Sequence, residues 1–125
     1  MQFEDRRGAL VVTTYLNNNS TPFRFLLDTG ATYSAISTAT ILRLGLSDIF
    51  AYGAPLLELE TANGPIFVQH FTLDAMRIGS AKVEQVPVVV LEELDGFDGL
   101  VGLSFLQHFD VSLDQQAGKL ILTRR

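Results

Sequence analysis

Five runs rich in β-branched and aromatic residues constrain this chain's fold more than any other feature: residues 10–16, 23–28, 56–61, 66–73 and 83–91. Such residues suit a pleated, half-buried surface, and each run is too short for a helix of ordinary length. Between the runs lie clusters of turn formers: Asn17-Asn18-Asn19-Ser20, Ala62-Asn63-Gly64 and Ile78-Gly79-Ser80. Asn and Gly tolerate positive φ, so Asn63-Gly64 between two extended runs predicts a hairpin with those two residues at its tip. A last hairpin is expected in FDVSLDQQAGKLILTR, turning over residues 115–118. Two short helices accompany the strands. One spans 37–44, capped by Ser37 and stopped at Gly45, and the other is a single turn over 104–108. Phe23, Phe25 and Leu27 alternate along one run and are expected in the core. The fold class is all-β.

A length of 125 residues suits one domain able to bury a core unaided. Hydrophobic residues at 47% against 18% charged make the chain globular rather than disordered. A net charge of −5 argues against a nucleic-acid partner, because phosphate binding needs concentrated Lys and Arg. The adjacent basic pairs, Arg6-Arg7 and Arg124-Arg125, lie near the two ends and read as solvated termini. With no cysteine there is no disulfide, thiol nucleophile or thiolate metal site, and nothing about redox compartment follows. The opening MQFEDRRGALVV lacks a signal peptide's apolar stretch, and VPVVVL falls far short of the roughly 18 apolar residues of a membrane span. We expect a soluble, cytoplasmic protein with no membrane partner in the chain as given.

Several chemistries lack material. His70 and His108 stand in unrelated settings without a Gly-x-Ser-x-Gly elbow, and two isolated histidines make no zinc site. Asp95 and Asp98 in LDGFDG lack the twelve-residue calcium ladder and read as turn acids. Phosphate-cradling glycine loops are missing too. What remains is Asp28, which ends the apolar run FLL and precedes Thr29, Gly30, Ala31 and Thr32. Burying a carboxylate without partners costs several kcal/mol, so such an acid sits at a turn or takes part in chemistry. Asp-Thr-Gly alone arises by chance in roughly a few chains in a hundred of this length. Its setting narrows the choice: an apolar strand before it, then Ser34, Ile36 and a capped helix after it.

At this point the sequence resembles the retropepsin-like aspartic proteases, single-domain relatives of pepsin, and in particular bacterial members. LRLGL resembles the helix end that follows their active-site loop. TANGPI, residues Thr61, Ala62, Asn63, Gly64, Pro65 and Ile66, resembles their substrate-binding flap. DGLVGLSFL resembles their second signature, with Leu100, Val101 and Gly102 leading into the C-terminal helix, and FDVSLDQQAGKLIL resembles the closing hairpin. The four signals fall in family order from about Leu10 to Leu122. Two positions depart from the viral pattern: Thr32 and Leu103 stand where viral members carry an Asp and an Arg that pair. Both charges are missing together, so neither is stranded. The loss puts in question a viral-type dimer contact and viral-type outer subsites.

The resemblance implies an acid-protease barrel, one lobe per chain across residues 1–125, with no cofactor or metal. It implies an aspartic endopeptidase in which Asp28 is catalytic, Thr29 braces the loop across a two-fold axis and Gly30 admits water and substrate. Ala31 and Thr32 would complete the loop, and the flap would close over an extended peptide held like an added strand. Two carboxylates must meet and share a proton, yet this chain has a single Asp-Thr-Gly. The partner is therefore expected to be a second copy, each supplying one Asp28. Two rivals remain: a catalytically weak dimerisation or peptide-binding module of the same fold, and a monomeric β-barrel that binds a ligand in its interior.

Overall fold

The structure, a computed structural model, describes residues 4–6, 9–50, 55–114 and 116–125. Its strands run in chain order β1 Glu4–Arg6, β2 Ala9–Leu16, β3 Phe23–Leu27, β4 Ser34–Ser37, β5 Leu56–Thr61 and β6 Gly64–Ile78. They continue with β7 Ala81–Leu91, β8 Gly99–Val101, β9 Phe109–Asp114 and β10 Lys119–Arg124. Helix α1 covers Thr38–Arg43 and α2 covers Leu103–Leu106, and a 3-10 turn occupies Ser47–Phe50.

Length and turn chemistry make β6 and β7 the spine. Gly79, at φ +59°, lets the chain reverse, and the pair runs antiparallel from Ile78↔Ala81 to His70↔Val89. Near its end β6 also pairs with β2, Tyr15 opposite Arg77 and Leu16 opposite Met76. That contact closes the strand order β2-β3-β8-β4-β7-β6 on itself as a barrel, with β1 and β5 attached outside. Alternation decides what fills it. Phe23 and Phe25 are buried while Arg24 between them is exposed, and Leu27 is half-buried at the strand's end. With Leu16, Ile36, Leu73, Met76 and Phe105 they form a continuous apolar centre. Each such side chain contributes about 1.5–3 kcal/mol by leaving water.

Strand β8 lies in the middle of this barrel, parallel to β3 on one side and antiparallel to β4 on the other. Gly99 makes that possible. A Cβ there would stand 2.4 Å from Cζ of Phe25 and 2.5 Å from the Ala35 carbonyl oxygen. Asp98 fixes the entry to β8: its Oδ2 accepts from the Arg24 backbone N–H at 2.8 Å, and its carbonyl accepts from Ser37 N–H at 3.0 Å. The same carbonyl accepts the Thr40 hydroxyl at 3.0 Å. Helix α1 begins as its sequence predicts, with the Ser37 hydroxyl accepting from Thr40 N–H, and Gly45 beyond its end has φ +72°.

The expected strands are present, with β6 reaching well past both ends of residues 66–73. The flap turn sits one residue earlier than expected. Ala62 and Asn63 form a two-residue loop, and Gly64, at φ +103°, already pairs with Thr61 as the first residue of β6. The Thr61 hydroxyl donates to the Gly64 carbonyl at 2.6 Å and accepts from Asn63 N–H, so a side chain closes the turn and frees Asn63 from a left-handed conformation. The closing hairpin forms as β9 and β10, a two-stranded sheet apart from the barrel sheet; Gln115 of its turn lies outside the described residues. Arg124 ties this hairpin to the barrel by donating to the Lys82 carbonyl. Replacing Asp98 with Ala removes a charge-assisted bond from the β3–β8 junction. It should cost about 1–2 kcal/mol in urea unfolding with the m-value unchanged.

Candidate active site

The loop from Asp28 to Tyr33 joins two strands that never pair with each other, because β8 runs between them. It therefore passes over the end of β8, and its backbone is bound there. Asp28 N–H donates to the Val101 carbonyl at 2.9 Å. The amides of Leu103 and Ser104 donate to the carbonyls of Ala31 and Thr32 at 2.8 and 3.0 Å. Gly102 lies directly beneath: a Cβ would meet the Tyr33 carbonyl oxygen at 2.4 Å and that of Ala31 at 2.8 Å. Both obstacles are backbone, so neither can turn aside. The packing role of Gly102 is this close approach to the loop.

Asp28 is half-buried. Its Oδ1 accepts from Gly30 N–H at 3.0 Å, and a Cβ on Gly30 would stand 3.4 Å from that oxygen. Among the described residues no Lys or Arg pairs with the carboxylate. Thr29, Gly30 and Thr32 are exposed. Asp28 thus stands at the surface end of a rigid loop with one oxygen engaged, able to act as a proton acceptor or donor.

Next to the loop is a cleft of about 460 Å³. Gly30, Ala31, Thr32 and Tyr33 form one wall, Leu100 and Val89 line it from the barrel, and Thr61 and Ile66 of the β5–β6 hairpin stand opposite. Ile66 and Leu91 also line a second cleft of about 430 Å³ that continues beside Val68 and Val90. Loop, hairpin and second signature therefore meet around one groove, mostly apolar but with Glu58 and Glu60 on the hairpin side. Ala62, Asn63 and Pro65 are exposed near the hairpin tip and do not line it, nor do Gly64, Thr29 and Asp28, the last adjoining it through Gly30. A smaller cavity of about 230 Å³, lined by Asn18, Asn19, Arg77 and Lys82 among others, shares no residue with the groove.

The loop also presents donors. Every peptide bond described is trans, so a carbonyl and the next residue's N–H point oppositely. With the carbonyls of Ala31 and Thr32 turned toward α2, the amides of Thr32 and Tyr33 face away from it, and neither finds an acceptor among the described residues. Sequence reading missed these amides. It also missed the part played by Ser34 and Ser104, whose buried hydroxyls bond each other at 3.0 Å behind the loop. The signal was two small hydroxyl residues in apolar settings, SAIS and LSFL. His70, His108 and Asp95 are exposed and take no part in the groove. Thr32 and Leu103, where viral relatives carry their charged pair, are both exposed.

Comparison with known proteins agrees with this architecture. A family model described as Aspartyl protease matches residues 12–105. The chain belongs to the aspartyl protease family. Among solved structures it is similar to a retropepsin-like aspartic protease from Rickettsia conorii: 27% identity, TM-score 0.69, 97% of this chain and 86% of that one covered. It shares the fold of the retroviral protease-like domain of Ddi1 from Leishmania major, at 17% identity and TM-score 0.61, over 91% of this chain and 87% of that one. No match is found among curated proteins. The fold is all-β and retropepsin-like, as the sequence motifs implied.

Gly102→Ala puts a methyl group into two carbonyl oxygens. It should lower stability by about 1–3 kcal/mol, read as a drop in thermal midpoint.

Proposed function

We propose that the chain is an aspartic endopeptidase, one lobe over residues 1–125, whose active form is a homodimer joining two Asp28 carboxylates across a two-fold axis. The observation that carries this reading is Asp28 itself: a half-buried carboxylate on a braced loop, with no cationic partner among the described residues, beside an apolar groove. A chain supplying one such acid offers half of a two-carboxylate centre, and an isologous interface supplies the other half. Exposed Thr29 beside it suits a brace between the two loops.

In this mechanism one carboxylate takes a proton from a water held between the pair. The other, protonated, donates to the scissile carbonyl oxygen as the water's oxygen attacks the carbon. Two carboxylates at that distance share one proton, because ionising both places like charges together. The tetrahedral intermediate collapses when the amide nitrogen takes the proton now on the first carboxylate, a gem-diol hydroxyl returns its proton to the second, and the C–N bond breaks, which restores the singly protonated pair. The peptide lies extended in the groove, Gly30 leaves room for its backbone, and the hairpin from Thr61 to Ile66 closes above to exclude bulk water.

Support for a second copy also comes from the surface. Val111, Leu113 and Ile121 of the β9–β10 hairpin are exposed, as is Leu103 beside the loop, and among the described residues the hairpin pairs with no other strand. Incubation with a mixed peptide library between pH 4 and 7 tests the reading. Cleavage should be blocked by a statine-type inhibitor and should show a bell-shaped pH dependence, since the singly protonated pair is the working form. Asp28→Asn should lower the rate at least about a thousandfold while sedimentation still reports a dimer. A dimer without cleavage at any pH favours the peptide-binding module, and a monomer at every concentration overturns the two-chain centre.

A further inference from the structure

We infer that Ser34 and Ser104 are positioning residues that aim the Thr32 and Tyr33 amides into the groove and so set how strongly residues flanking the scissile bond are held. This rests on the protease reading above and deepens it.

The geometry is a small closed circuit. Ser34 N–H donates to the Ser104 hydroxyl oxygen at 2.8 Å, the Ser104 hydroxyl donates to that of Ser34 at 3.0 Å, and Gly102 N–H donates to the Ser34 hydroxyl oxygen at 3.0 Å. Ser34 is fully buried and Ser104 is 6% exposed, so water does not substitute for a missing partner. A buried donor left unpaired carries its full desolvation cost, which makes a hydroxyl at both positions a requirement of this arrangement. The circuit ties the end of the loop to the start of α2. The neighbouring bonds, Leu103 N–H to Ala31 and Ser104 N–H to Thr32, lie on the same two segments.

Those two carbonyls fix two peptide planes, and the opposite edges of the planes are the free amides of Thr32 and Tyr33. Both residues line the groove. They lie four and five positions along the chain from Asp28, so they meet a bound strand away from the bond being cut. Tilting either plane turns a donor away from that strand, while Asp28 keeps its bonds to Val101 and Gly30; its one tie to this stretch is the long Ala31 N–H to Asp28 carbonyl bond of 3.3 Å. The two serines therefore act on flank recognition rather than on the chemical step.

Calorimetric titration of the intact chain with a statine-centred peptide of eight residues and with its four-residue core tests this. In the unsubstituted protein the longer peptide should bind more tightly. In Ser104→Ala its Kd should rise about tenfold, while that of the short core stays within about twofold and the dimer mass is unchanged. Ser104→Cys, similar in size with a weak donor, should show the same selective loss to a smaller degree, and it decides the question should the alanine variant fail to fold. Equal weakening of both peptides, or of neither, overturns the inference, as does a longer peptide that never binds better. Selective weakening without any peptide cleavage leaves the inference standing and sinks the protease reading instead.

Discussion

The backbone contact between Gly102 and the loop above it governs the rest of this molecule. A loop joining two separated strands would ordinarily be mobile, yet here the carbonyls of Ala31 and Tyr33 rest directly on a residue without a side chain. Close approach lets the first turn of α2 offer its unpaired amides to the loop, so groups orphaned at a helix start are satisfied by the segment that carries the acid. The barrel's central strand, the short helix and the acidic loop become one rigid body. Rigidity of this kind is what a carboxylate needs if it is to meet a partner within hydrogen-bonding distance.

Electrostatics and packing divide the labour around that body. The interior is apolar, and its few buried polar side chains, Thr14, Ser34, Ser37, Thr40 and Ser104, are neutral hydroxyls. No charge must be desolvated to build the scaffold. Asp98, partly exposed, pins β8 through its bond to Arg24 N–H and stands near Arg43 at 3.7 Å. Thr32 and Leu103 follow the same pattern. Both are exposed and uncharged, and this chain stabilises the loop with main-chain bonds instead.

Much of this was legible in the sequence, and the limits have physical causes. Strands with strong alternation or dense β-branching, such as β3 and β7, could be read because local preference and final burial agree. The strands β4 and β8 could not. SAIS and GLV are three or four residues long and owe their extended state to each other, to β3 and to β7, which are contacts distant in sequence. The flap turn slipped by one residue because the Thr61 hydroxyl completes it, a side-chain effect that the Asn-Gly pair conceals. Gly30 and Ile66, picked out by motif, line one groove, and Asp28 adjoins it through its bond from Gly30 N–H. The Thr32 and Tyr33 amides were invisible, since a backbone donor has no letter of its own.

The terminal ribbon of β9 and β10 has a cost when the protein is alone. Among the described residues it pairs with no further strand, and Val111, Leu113 and Ile121 face solvent. Two strands by themselves are barely stable in water, and bare edges recruit whatever extended chain they meet. Left uncovered, a ribbon of this kind is open to edge-to-edge clumping during synthesis, and a dimer that covered it would remove that hazard along with the exposed aliphatic surface.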